Sequence, residues 1–75
     1  MRIGADLGDY IAQFSMASLF SSGRGVEKDD RQAAHYYGLA AQQGDALSQA
    51  NLGVMYADGR GVPKNEHEAV RLFKL

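Results

Sequence analysis

Between residues 10 and 22 the apolar positions Tyr10, Ile11, Phe14, Met16, Ala17, Leu19 and Phe20 recur at spacings of three and four. That is the period of a helix with a broad apolar face. A polar, glycine-containing stretch interrupts it. A second helical pattern follows from about Asp30 to Gln43, with Ala33, Tyr36, Tyr37, Ala40 and Ala41 placed to pack inward. The alternation then returns as a helix at about Ala46 to Asp58, a loop, and a helix from Glu66 to Leu75. No stretch shows the period of two that a half-buried strand requires. The pattern predicts an all-α fold.

The return is a repeat. Sliding the chain against itself by 36 residues superposes Gly23-Arg24-Gly25-Val26-Glu27-Lys28-Asp29 on Gly59-Arg60-Gly61-Val62-Pro63-Lys64-Asn65. At that offset 11 of the 36 pairs formed by residues 4–39 and 40–75 are identical, among them Gly8/Gly44, Asp9/Asp45, Gln13/Gln49 and Ala33/Ala69. Others keep their character, as in Ile11/Leu47, Met16/Leu52, Phe20/Tyr56 and Tyr37/Phe73. Self-similarity at such a spacing marks a solenoid of supersecondary units. Residues 1–75 therefore read as one domain: 2–7 the end of a preceding helix, 8–43 the first repeat, and 44–75 the second, truncated in its last helix.

The loop has a mechanical reading. Its first glycine ends a helix, its second permits a positive φ, and Val26 or Val62 turns back between the helices. Substituting valine at Gly25 or at Gly61 is expected to cost about 1 kcal/mol or more. Asp29 with Gln32, and Asn65 with Glu68, fit capping boxes. Pro63 stiffens the second copy. Gly8-Asp9 and Gly44-Asp45 have the chemistry to end one helix and open the next. Ala17 and Gly53 are small at equivalent positions, as a closely passing neighbouring helix backbone would require.

Composition narrows the function. The formal net charge is −1 and the basic residues are scattered, so neither nucleic acid nor an anionic membrane is an expected partner. No cysteine is present, which excludes disulfides, thiolate metal sites and cysteine nucleophiles. No apolar run resembles a signal peptide or approaches membrane-spanning length, so a soluble chain is expected, with the compartment unspecified.

The run Gly44-Asp45-Ala46-Leu47-Ser48-Gln49-Ala50-Asn51-Leu52-Gly53-Val54-Met55-Tyr56-Ala57-Asp58-Gly59-Arg60-Gly61-Val62, continued through Ala69 and Phe73, closely resembles the Sel-one-like repeat (SLR), a relative of the tetratricopeptide repeat. Ala17 and Met16 depart from the usual Gly and Leu in the first copy, and Ser48 from the usual Ala in the second. The resemblance implies an α/α solenoid of antiparallel helix pairs in a right-handed superhelix. It also implies an adaptor that binds other proteins, as many bacterial members do. In such folds the first helix of each pair lines a concave groove. That places Ile11, Phe14, Ser18, Ser21 and Ser22 there from the first repeat, and Leu47, Ala50, Val54, Ala57 and Asp58 from the second. An apolar strip edged with hydroxyls and one acid suits a peptide with apolar anchors. The alternative for Ile11 and Leu47 is packing on a neighbouring repeat.

Catalytic constellations are missing from the sequence. Cysteine-rich relatives have been linked to β-lactam binding, but no Ser-x-x-Lys or Gly-x-Ser-x-Gly occurs. His35 aligns with Arg71, and His67 with Arg31, so both read as solvated polar surface rather than metal ligands. Gly23-Arg24-Gly25 joins two helices instead of following a strand, which favours turn geometry over phosphate binding. Glu27, Asp29 and Asp30 suit capping and dipole compensation. The aromatic residues lack the basic groove that base stacking needs. The expected function is a non-catalytic interaction module needing no cofactor or metal, with another protein or peptide as partner. Because two units fall short of the usual three, self-association into a homo-oligomer through exposed ends is a further expectation.

Overall fold

The computed structural model describes residues 10–74. Four helices follow one another, α1 (Tyr10–Ser22), α2 (Asp30–Gln42), α3 (Ala46–Asp58) and α4 (Glu66–Phe73), and no strand occurs among the described residues. Helix α1 packs on α2, α2 on α3 and α3 on α4, the sequential stacking of an α/α solenoid with two repeats. The shortest of its 37 × 27 × 14 Å extents matches two packed helix layers. The expected helix end at residues 2–7 and the Gly8-Asp9 cap lie outside the described residues.

The helix starts follow from the side chains ahead of them. Asp29 has extended backbone and its carboxylate accepts from the amides of Arg31 (3.0 Å) and Gln32 (3.2 Å). Asn65 does the same for the Glu68 amide at 3.1 Å, and Asp45 for the Ser48 amide at 2.9 Å. These bonds satisfy donors that a helix N-terminus otherwise leaves open. The reciprocal half of the expected capping boxes is not what holds the cap residues. The Asp29 amide donates to the Phe20 carbonyl at 2.9 Å, and the Asn65 amide to the Tyr56 carbonyl at 2.9 Å. Each cap thus ties its helix back across the loop to the preceding one, at positions 36 residues apart.

Both loops turn through left-handed glycines, with φ of 79° at Gly25 and 72° at Gly61. Their surroundings differ. A Cβ on Gly25 would meet nothing within 4 Å, whereas one on Gly61 would lie 2.2 Å from the carbonyl oxygen of Asp30. The second loop is seated on the first turn of α2; the first loop faces open space.

The core lies where α1, α2 and α3 meet. Ala17 and Ala33 are fully buried, with Ala34, Tyr37 and Met55 beside them, and Phe14, Phe20, Tyr36, Leu52 and Val62 half-buried around this centre. Phe14 meets Tyr37 edge-on at 5.8 Å between ring centroids, and Phe20 stacks on Tyr36 at 6.0 Å. Small alanines let the helices approach, and the aromatic rings fill the spaces between them. At Gly53 the expected close backbone is instead an aromatic ring: an added Cβ would stand 2.7 Å from the Phe73 ring of α4. Phe73 itself is half exposed.

Candidate protein-interaction surfaces

The strip proposed from the resemblance falls on α1 and α3. Ile11 is 61% exposed, Leu47 63% and Val54 42%, with Ser18 and Ala50 also exposed. Asp58 is exposed at the end of α3, and Ala57 and Ser21 are half-buried. Ser22 is exposed, but its hydroxyl donates to the Ser18 carbonyl at 2.9 Å, so the helix already uses that donor. Phe14 is drawn inward onto Tyr37 and offers less of its ring than the sequence pattern implies. The apolar anchors presented outward are therefore Ile11, Leu47 and Val54.

A second concavity has no counterpart among the residues picked from the sequence. A cavity of about 650 Å³, open to solvent, is lined by Arg31 and His35 of α2, Leu52 and Tyr56 of α3, and Glu68 and Arg71 of α4. The Arg71 guanidinium donates to both Glu68 oxygens, one of them at 3.0 Å. That hydrogen bonding holds the Glu68 carboxyl below the usual range and raises Arg71. Arg31 and His35, both exposed, line the α2 wall. His35 also touches the Tyr36 ring edge-on at 5.2 Å. The available sequence signal was the pairing of basic residues at equivalent positions, Arg31 with His67 and His35 with Arg71.

The buried polar residues are structural. Gln13 is 3% exposed and accepts from the Gln43 side chain at 2.7 Å. Its repeat partner Gln49 donates to the Ala41 carbonyl at 3.2 Å, meeting one of the open carbonyls that end α2. Ser48 is fully buried, and its hydroxyl is taken up by the capping carboxylate of Asp45. A serine at this position costs nothing in unpaired hydrogen bonds, because the cap of its own helix satisfies it. Among the described residues, no three His, Asp or Glu side chains gather as a metal site would require, and no helix is long and apolar enough to cross a membrane.

The comparisons agree with the two-repeat helical fold. The profile of the Sel1 repeat matches residues 11–45 and 46–75. Among solved structures, a Sel1 repeat protein from Oxalobacter formigenes is 40% identical, with a TM-score of 0.86 over 89% of this chain and 28% of its own. A protective antigen present in uropathogenic Escherichia coli strains, displaying an SLR fold, is 37% identical with a TM-score of 0.90, over 93% of this chain and 15% of its own. Cysteine rich protein B of Helicobacter pylori is 33% identical with a TM-score of 0.88, over 92% of this chain and 52% of its own. The chain thus spans about half, or less, of each of these relatives. No curated protein matches the sequence significantly.

Proposed function

The chain belongs to the Sel1 repeat family, and we propose that it is a non-catalytic scaffold that captures a peptide or protein along the exposed face of α1 and α3. Sel1 repeats generally serve as protein–protein interaction modules. The observation that carries the reading is the exposure of Ile11, Leu47 and Val54 on helices whose buried cluster is complete without them. Covering such side chains contributes roughly 25 cal/mol per Å² of apolar surface removed from water. Peptides selected from a display library against the wild-type chain test it. Binding is expected to vanish in an Ile11→Asp, Val54→Asp double variant whose helicity is unchanged. Retained binding would refute capture on this face, and loss on Arg31→Glu instead would move the site to the cleft between α2 and α4.

Burial is unequal at repeat-equivalent positions along the exposed face and its flanks. Met55 is 2% exposed where its equivalent Leu19 is 38% exposed, and Tyr37 is 6% exposed where Phe73 is 53% exposed.

A further inference from the structure

The charges of this chain are divided unevenly among its helices. Helix α1 contains none, and α3 has only Asp58, at its last position. Helix α2 carries both signs, from Asp30 to Arg31, and α4 does so from Glu66 to Arg71. Yet α1 and α3 are the helices that expose Ile11, Leu47 and Val54. A helix face left to water ordinarily carries charge. An exposed apolar face without it has the composition of an interface core, where charged residues are depleted. Helix α3 packs against both α2 and α4, and both leave Leu47 and Val54 uncovered. Their exposure is therefore not that of a terminal helix.

Leu47, Ala50, Val54 and Asp58 stand at i, i+3, i+7 and i+11 on α3, and all four are exposed, so they form one stripe. The helical rise places Leu47 and Val54 roughly 10 Å apart along the axis, with Asp58 roughly 6 Å beyond Val54. Among the described residues Asp58 makes no ion pair. We infer that the occupant of this face is an amphipathic helix of another protein. It carries apolar side chains seven residues apart, no charge between them, and one Lys or Arg a turn beyond. The inference rests on the reading of the α1 and α3 face as the capture surface, and it names the partner's chemistry. A helix has the same rise as α3, so its apolar ridge meets Leu47 and Val54 turn for turn. A charge between the anchors would lose its water against the uncharged α1 and α3 with no counter-charge to meet. At the end of the stripe the Asp58 carboxylate supplies that counter-charge. The pair stays in contact with solvent there, adding little affinity but fixing the direction in which the partner lies.

The test uses peptides of about 16 residues, long enough to span the stripe as a helix, selected from a random display library against the 75-residue chain. Their affinities are then measured for the wild type and for Val54→Asp and Asp58→Lys, each checked for folding by circular dichroism. Selected peptides are expected to share the apolar pair at seven-residue spacing and to gain helicity on binding. Binding is expected to be lost in Val54→Asp. Asp58→Lys is expected to weaken it about threefold or more, with recovery when the peptide's basic residue is changed to Glu. Raising salt from about 0.05 M to about 0.5 M is expected to change the affinity less than about threefold, since one exposed ion pair is all that salt can screen. Peptides that need Val54 but bind without helicity, with anchors two or three residues apart, overturn the helix and keep the face. Peptides that need Val54 but carry several charges, and weaken about tenfold or more with salt, overturn the uncharged partner. If the chain instead doubles its mass in light scattering, and Val54→Asp abolishes the doubling, a second copy is the occupant. Binding indifferent to Val54→Asp, or a library that yields no binder, overturns capture on this face and the inference with it.

Discussion

Replacing Gly61 by alanine should cost far more than the same change at Gly25, although the two glycines have almost the same backbone. Their φ angles are 72° and 79°, so the conformational penalty of a Cβ in the left-handed region is shared, at about 1–2 kcal/mol. The difference lies in what the new methyl meets. At Gly61 it would stand 2.2 Å from the Asp30 oxygen, 2.5 Å from its carbonyl carbon and 3.0 Å from the Arg31 nitrogen, all of them backbone. Ordinary contact between such atoms needs about 1 Å more than the shortest of these. The first turn of α2 cannot swing aside as a flexible side chain would, because Asp29 holds its amides and ties it back to Phe20. The loop must withdraw, loosening Val62 from the core and Arg60 from Asp30, at about 1–3 kcal/mol beyond the backbone term. At Gly25 no atom lies within 4 Å and the second term is absent. Each kcal/mol moves the melting temperature of a domain this size by about 4–8 °C. Gly61→Ala should therefore melt roughly 10 °C below Gly25→Ala. Thermal circular dichroism at low protein concentration, where association is negligible, measures the difference. Equal melting temperatures for the two variants would refute the reasoning.

Other positions offer smaller effects of defined sign. Burial raises the Tyr37 hydroxyl above its ordinary value, with nearby Arg60 opposing the shift in part. The folded state then holds this proton longer than the unfolded one, so its contribution is complete below about pH 10 and is lost as pH rises from there. Urea midpoints at neutral and strongly alkaline pH should show a decline that is shallower in Tyr37→Phe. Removing a cap by Asp29→Ala should cost about 1–2 kcal/mol and Asn65→Ala about 0.5–1 kcal/mol, because Asp29 accepts from two amides and carries charge at the helix start. Urea denaturation would show a misreading if the order were reversed. Gly53→Ala should be near neutral, within about 1 kcal/mol, since the three atoms nearest the added methyl all belong to the half-exposed Phe73 ring, which can turn away, while alanine favours the helix. A loss of several kcal/mol in the same assay would mean that the ring is fixed in place.

By itself the sequence determined the helices, their order and the unit that repeats. Apolar spacing and the repeat placed α1 and α3 at their observed bounds, α2 to within one residue at its end, and α4 at its start, with its end observed at Phe73. Those features are local: periodicity, glycines at turns and capping side chains act within a few residues, so they are legible along the chain. The strip carrying Ile11, Leu47 and Val54 was implied by the family resemblance and not by period, and the structure shows those three side chains exposed. What only the tertiary structure decided is how equivalent residues diverge. Gly25 and Gly61 are identical in sequence, yet only one has a carbonyl behind it. Tyr37 and Phe73 occupy one register position, yet one is buried and the other half exposed. Glu68 fits a capping box by spacing, but its carboxylate is held by Arg71 while the Asn65 amide crosses to Tyr56. The cleft between α2 and α4 gathers residues from separate repeats, and no single stretch contains it. The Glu68–Arg71 pair is local to α4; the other differences share one physical reason. A repeat specifies its own helices, but burial and partner choice depend on what stacks against it, and that is set by its neighbours in space.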